Sequence, residues 1–88
     1  MSIQNDKTSQ SYDDLIIPTE DQASTVLKRM QDQIEIYGAA TVADFFDLLG
    51  VTATFEDATR GWKDLDGVQI RSVYAGYLID LPRAINLR

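Results

Sequence analysis

Between positions 23 and 37 the apolar residues Ala23, Val26, Leu27, Met30, Ile34 and Tyr37 recur at steps of three and four, while Lys28, Arg29, Asp32 and Glu35 fall between them. That spacing predicts an amphipathic helix over 19–37 with one apolar stripe. Its start is punctuated locally. Thr19 follows Pro18 as an N-cap, Gln22 lies three positions on in the form of a capping box, and Glu20 and Asp21 put negative charge where the helix dipole favours it. Gly38 ends the helix. A second helix is predicted over 41–49. Thr41 caps it with Asp44 three positions later, Val42, Phe45, Phe46, Leu48 and Leu49 carry its apolar face, and Gly50-Val51 has the form of a Schellman ending. A helix this short is marginal alone, so Phe45 or Phe46 must pack against the first helix.

From Val51 onward the period fades, and residues 55–66 are expected to be irregular or helical, with Trp62 and Leu65 presenting apolar groups three apart. Asp66-Gly67 is a turn signal. Apolar and polar residues then alternate on either side of Ala75-Gly76, which predicts a β-hairpin with strands at 68–74 and 77–82, the second stopped by Pro82. Residues 1–17 are mostly polar and are expected to form a flexible N-terminal tail whose Leu15–Ile17 patch docks on the domain or on a partner; 18–88 form one small domain. The fold class is therefore α+β, two to three short helices followed by a β-hairpin. That is a winged-helix-like order, in which 41–49, Gly50-Val51-Thr52 and a helical turn near 57–66 would be the helix-turn-helix and 68–82 the wing.

Composition narrows the chemistry. With 88 residues there is room for one core. No cysteine and no histidine is present, which removes disulfides, thiol nucleophiles, Cys/His zinc sites and imidazole bases. Fourteen acidic against eight basic residues leave a formal charge of −6. Met1 to Lys7 lack a basic start followed by an apolar run, so no signal peptide is expected, and no apolar stretch approaches the roughly 20 residues of a membrane span.

Asp64-Leu65-Asp66-Gly67 has the form of the middle of an EF-hand loop, but that register puts Trp62 and Val73 at the terminal ligand positions, where carboxylates are needed, so a plain turn is expected and no metal or cofactor. The adjacent pairs Asp13-Asp14, Glu20-Asp21 and Glu56-Asp57 point their side chains apart, unlike an acid/base pair, and no enzymatic activity is expected. Residues 51–88 hold five basic and five acidic residues, so a winged-helix nucleic-acid binder, the alternative reading, would have to gather Arg60, Lys63 and Arg71 on one face. The aromatics Trp62, Tyr74 and Tyr77 are core anchors first and interface anchors second. Together, Trp62, Tyr74, Tyr77, Arg60, Lys63 and Arg71 are the candidate partner-binding residues. The acidic residues Asp13, Asp14, Glu20, Asp21, Asp32 and Glu35 could mimic phosphates in a decoy, but plain solubility is the better account of them.

Three blocks in order, Thr41-Val42-Ala43-Asp44-Phe45-Phe46-Asp47-Leu48-Leu49-Gly50-Val51, Gly61-Trp62-Lys63-Asp64-Leu65 and Gly76-Tyr77-Leu78-Ile79-Asp80-Leu81-Pro82-Arg83, with Tyr37-Gly38 ahead of them, resemble a small domain of uncharacterised proteins from actinobacterial phages and prophages. The resemblance covers about half of the chain and implies an origin without a mechanism. The expectation is a non-catalytic phage or mobile-element accessory protein that binds a protein partner, located in the host cytoplasm or associated with the virion.

Overall fold

Thr19 opens the first helix as the sequence predicts, its Oγ1 accepting the backbone N–H of Gln22 at 3.1 Å. In the computed structural model, which describes residues 12–87, α1 (Glu20–Tyr37) buries Ala23, Val26, Leu27 and Met30 and ends where the Gly38 N–H donates to the Ile34 carbonyl at 2.7 Å. The stripe fails in its last turn. Tyr37 is 78% exposed, although Ile34 in the same turn still packs against the core.

A two-residue strand, β1 (Ala40–Thr41), leads into α2 (Val42–Leu48). The capping box is complete: Asp44 N donates to Thr41 Oγ1 and Thr41 N to Asp44 Oδ2, both at 2.9 Å. The same carboxylate oxygen accepts from Gln33 Nε2, which ties the start of α2 to α1. The Schellman ending is also present, with Val51 N donating to Phe46 O at 2.8 Å and Gly50 N to Asp47 O at 3.1 Å. Both Phe45 and Phe46 are buried, their rings 5.9 Å apart.

Residues 55–66 are not mainly helical. A 3-10 turn at Glu56–Thr59, held by reciprocal bonds between Thr54 and Asp57, gives way at once to strand β2 (Arg60–Trp62). This strand lies between β1 and β5 (Ile85–Asn86) in an antiparallel sheet of three. Gly61 makes the sheet possible. A Cβ built there would sit 2.0 Å from the Ala40 carbonyl oxygen and 2.6 Å from Thr41 Cα, inside van der Waals contact.

The predicted hairpin forms, with shorter strands and a different turn: β3 (Ile70–Val73) pairs with β4 (Gly76–Ile79) around Tyr74-Ala75. Gly76 belongs to the strand because the N-terminal segment crosses it closely; a Cβ there would meet Ile17 O at 2.5 Å. Ile17 and Tyr77 exchange two backbone hydrogen bonds of 2.8 Å, so Ile17 adds a one-residue bridge to the outer edge of β4. At 1% exposure it is a core residue. The expected tail boundary at 17 therefore falls inside the domain, because 12–17 bury apolar surface against the hairpin and Trp62; residues 1–11 lie outside the described residues.

The architecture is α+β, with the hairpin packed on α1 and the three-stranded sheet closing over α2. The element order matches the predicted outline up to the place of a third helix, where only the four-residue 3-10 turn stands. No helix among the described residues is long and apolar enough to cross a membrane.

Candidate functional site

The six candidate residues do not form one surface. Trp62 is 2% exposed and is a core residue. Its indole stands edge-on to Tyr12 at 5.3 Å between ring centroids and to Phe45 at 6.4 Å, and its Nε1–H donates to the Pro82 carbonyl at 2.7 Å. With its faces covered and its one polar group satisfied, this side chain cannot anchor a partner in the folded state. Tyr77 is half-buried against the core and its backbone is committed to Ile17.

Arg71 is exposed on the hairpin and is already paired. Its Nη2 lies 2.9 Å from Asp80 Oδ1, and its Nε is 3.2 Å from both carboxylate oxygens. The register that sets Arg71 opposite Leu78 places Asp80 diagonally across, so the fork reaches the carboxylate without distortion. The hydrogen bond to Asp80, then its charge, holds the guanidinium above its ordinary value. Arg60 and Lys63 are exposed at the two ends of the β2 segment. Lys63 borders a shallow cavity of about 600 Å³ together with Asp32, Glu35, Asp64 and Asp66, so its surroundings are acidic. The three cations that a nucleic-acid binder would have to gather are thus offset by carboxylates at two of their three positions. The acidic residues that could have formed a decoy are spread out as well, as plain solubility implies: Glu20 and Glu35 are about 22 Å apart along α1 at 1.5 Å per residue.

Tyr74 is different. It occupies the first central position of the two-residue hairpin turn and is 96% exposed. Ala75 beside it is held at φ 76°, a left-handed conformation in which an L-residue with a Cβ is strained. Ile16, half-exposed, comes to the same end of the hairpin, since its Cγ2 would be 2.8 Å from a Cβ on Gly76. The structure therefore leaves one aromatic side chain displayed on a fixed turn beside an aliphatic neighbour.

Sequence reasoning missed Ile36, Tyr37 and Phe55 as exposed large apolar groups. Ile36 and Tyr37 line a shallow cavity of about 470 Å³ with Leu48, Lys28 and Arg29. Tyr37 fits the helical apolar stripe, so no signal in its spacing could have found it. Ile36 falls off that stripe, and an isoleucine off the apolar face was the available clue. Among the described residues no group of three or more acidic side chains is arranged to hold a metal ion. Comparison with known protein families, with curated proteins and with solved structures returns no match.

Proposed function

We propose that this chain is a non-catalytic accessory protein, of phage or mobile-element type, that binds a protein partner through the tip of its hairpin. The observation that carries the reading is Tyr74, almost wholly exposed on a turn whose next residue is an alanine at positive φ. A tyrosine offers a large, rigid contact surface with little rotamer freedom to lose, which is why tyrosines dominate binding energy at interfaces. Backbone strain next to it is the kind of local cost that is kept where the displayed group is used. Ile16 extends the apolar contact.

The rival outcome is nucleic-acid binding by the hairpin as a wing. Phosphate neutralisation supplies most non-specific affinity, and a net charge of −6 together with an Arg71 engaged by Asp80 works against it. The test is affinity capture from the native host at low and moderate salt, with wild-type protein and Tyr74→Ala side by side. A protein partner held by the wild type and lost with Tyr74→Ala supports the proposal. Co-purifying nucleic acid that is released by salt and indifferent to Tyr74→Ala overturns it.

A further inference from the structure

The acidic turn that the EF-hand comparison singled out has a chemistry of its own. Asp66 is the one aspartate in the chain followed by glycine. It stands with Gly67 at the exposed centre of a turn closed by Val68 N donating to Leu65 O at 3.3 Å. The base of the turn is fixed, because Leu65 is buried and its carbonyl accepts a second bond, from Gln31 Nε2 at 3.2 Å. The tip is not. The Asp66 backbone N–H donates to Asp64 Oδ1 at 2.8 Å, but neither the Asp66 carboxyl nor the Gly67 N–H has a hydrogen-bond partner among the described residues. Around Gly67, at φ 79°, nothing lies within 4 Å of where a Cβ would stand.

We propose that Asp66-Gly67 is a site of spontaneous covalent modification, at which the main chain reroutes through the Asp66 side chain to give isoaspartate, the substrate class of protein carboxyl methyltransferases that act on that residue. The step is an isomerisation. The Gly67 amide nitrogen attacks Cγ of the neutral Asp66 carboxyl, the new N–Cγ bond forms, and the amide proton leaves with the carboxyl hydroxyl as water, closing a five-membered imide. Water then adds to the ring. Addition at Cγ breaks N–Cγ and restores aspartate. Addition at the former α-carbonyl carbon breaks its bond to nitrogen, which leaves the peptide linked through Cβ and a free α-carboxylate. One water is lost and one regained, and no oxidant or reductant enters.

Each feature of the turn favours this residue over the other aspartates. Glycine presents no side chain against the approach of its nitrogen, and the open space lets the backbone swing toward Cγ. The unbonded N–H gives up no hydrogen bond on reacting. By contrast, the carboxylates of Asp44, Asp57 and Asp80 are engaged by Thr41 and Gln33, by Thr54 and by Arg71, and Asp64 is followed by the buried Leu65. The product adds one backbone atom to the turn and takes the Val68–Leu65 bond out of register.

Incubating the purified, folded chain for weeks at physiological temperature tests this. Trypsin cutting after Lys63 and Arg71 releases residues 64–71, and electron-based fragmentation distinguishes the two linkages within that peptide. The expected result is isoaspartate at 66 several-fold above that at any other aspartate. Methyl transfer from S-adenosylmethionine by an isoaspartyl methyltransferase is expected to grow in parallel, to be abolished by Asp66→Glu and to be retained by Asp64→Glu. Both variants change exposed side chains, so both are expected to fold. Isoaspartate at 66 no higher than elsewhere, methyl transfer that survives Asp66→Glu, or conversion seen only in denaturant would each overturn the proposal.

Discussion

The Tyr12 hydroxyl accepts the backbone N–H of Ala84 at 2.9 Å, a contact between positions 72 apart in sequence, while the Tyr12 ring stands edge-on to Trp62. One side chain near the start of the described chain thus fastens its end. Tyr12→Phe keeps the ring and leaves the Ala84 N–H without its acceptor in a part-buried site. The expected loss is about 1–3 kcal/mol in a denaturant titration, with the m-value unchanged.

Ile17 tests the domain boundary. Its side chain is wholly buried, so Ile17→Ala is expected to cost about 2–5 kcal/mol, a large share of the 5–15 kcal/mol typical of a domain. Truncation of residues 1–11 is expected to leave the melting temperature nearly unchanged. A wild-type midpoint for Ile17→Ala would show that 12–17 are a tail after all.

Between the helices, the equally buried Phe45 and Phe46 should each cost about 3–5 kcal/mol on replacement by Ala. Near-global loss of helical circular dichroism at room temperature is the expected reading for either variant, and two wild-type melts would refute the packing of α2 on α1.

Ala75→Gly is expected to stabilise. It removes a left-handed penalty of about 1–2 kcal/mol and adds a glycine entropy cost of about 0.5–1 kcal/mol, leaving a gain of roughly 0.5–1 kcal/mol. For a domain of this size that corresponds to a rise of about 2–8 °C in melting temperature. The same change leaves Tyr74 in place, so any loss of partner binding would report on the conformation of the turn.

The Arg71–Asp80 pair is half-exposed, so Arg71→Ala is expected to move the denaturation midpoint little, and less at high salt. The sign of its pH dependence follows from the raised guanidinium value: what stability the arginine contributes is complete below its ordinary range and is lost only as pH rises through the raised one. Stability curves of wild type and Arg71→Ala should therefore run parallel from neutral to about pH 10.

The helices were legible because their signals are local. Thr19, Thr41, Asp44, Gly38 and Gly50-Val51 act within one turn of where they stand, and each does what its type and position imply. The hairpin was legible in outline from its alternation, but the three-stranded sheet and the exact turn were not, and two glycines show why. Gly61 falls in the stretch expected to be irregular or helical and Gly76 in the expected turn, yet both lie inside strands, where a second segment passes too close for a Cβ. The sequence alone cannot separate a glycine needed for conformation from one needed for clearance, because the crowding atoms, on Ala40 and Ile17, lie 21 and 59 residues away. Gly61→Ala is accordingly expected to unpair β1 from β2, at about 3 kcal/mol or more, in excess of ordinary overpacking. The same blindness divided the aromatics. Trp62 and Tyr74 look alike as candidates until the segments around them are placed, and then one is sealed and the other displayed.

The clasp on Trp62 also sets a timetable for biosynthesis. Its indole donates to Pro82, and the tyrosine that covers it waits for Ala84. A nascent chain can form both helices as they emerge, but the tryptophan's polar edge and the Tyr12 hydroxyl find their mates only once residues 82 and 84 have left the ribosome. Until then the largest aromatic side chain in the sequence lacks the carbonyl that satisfies its indole N–H, and the tyrosine beside it lacks its own partner.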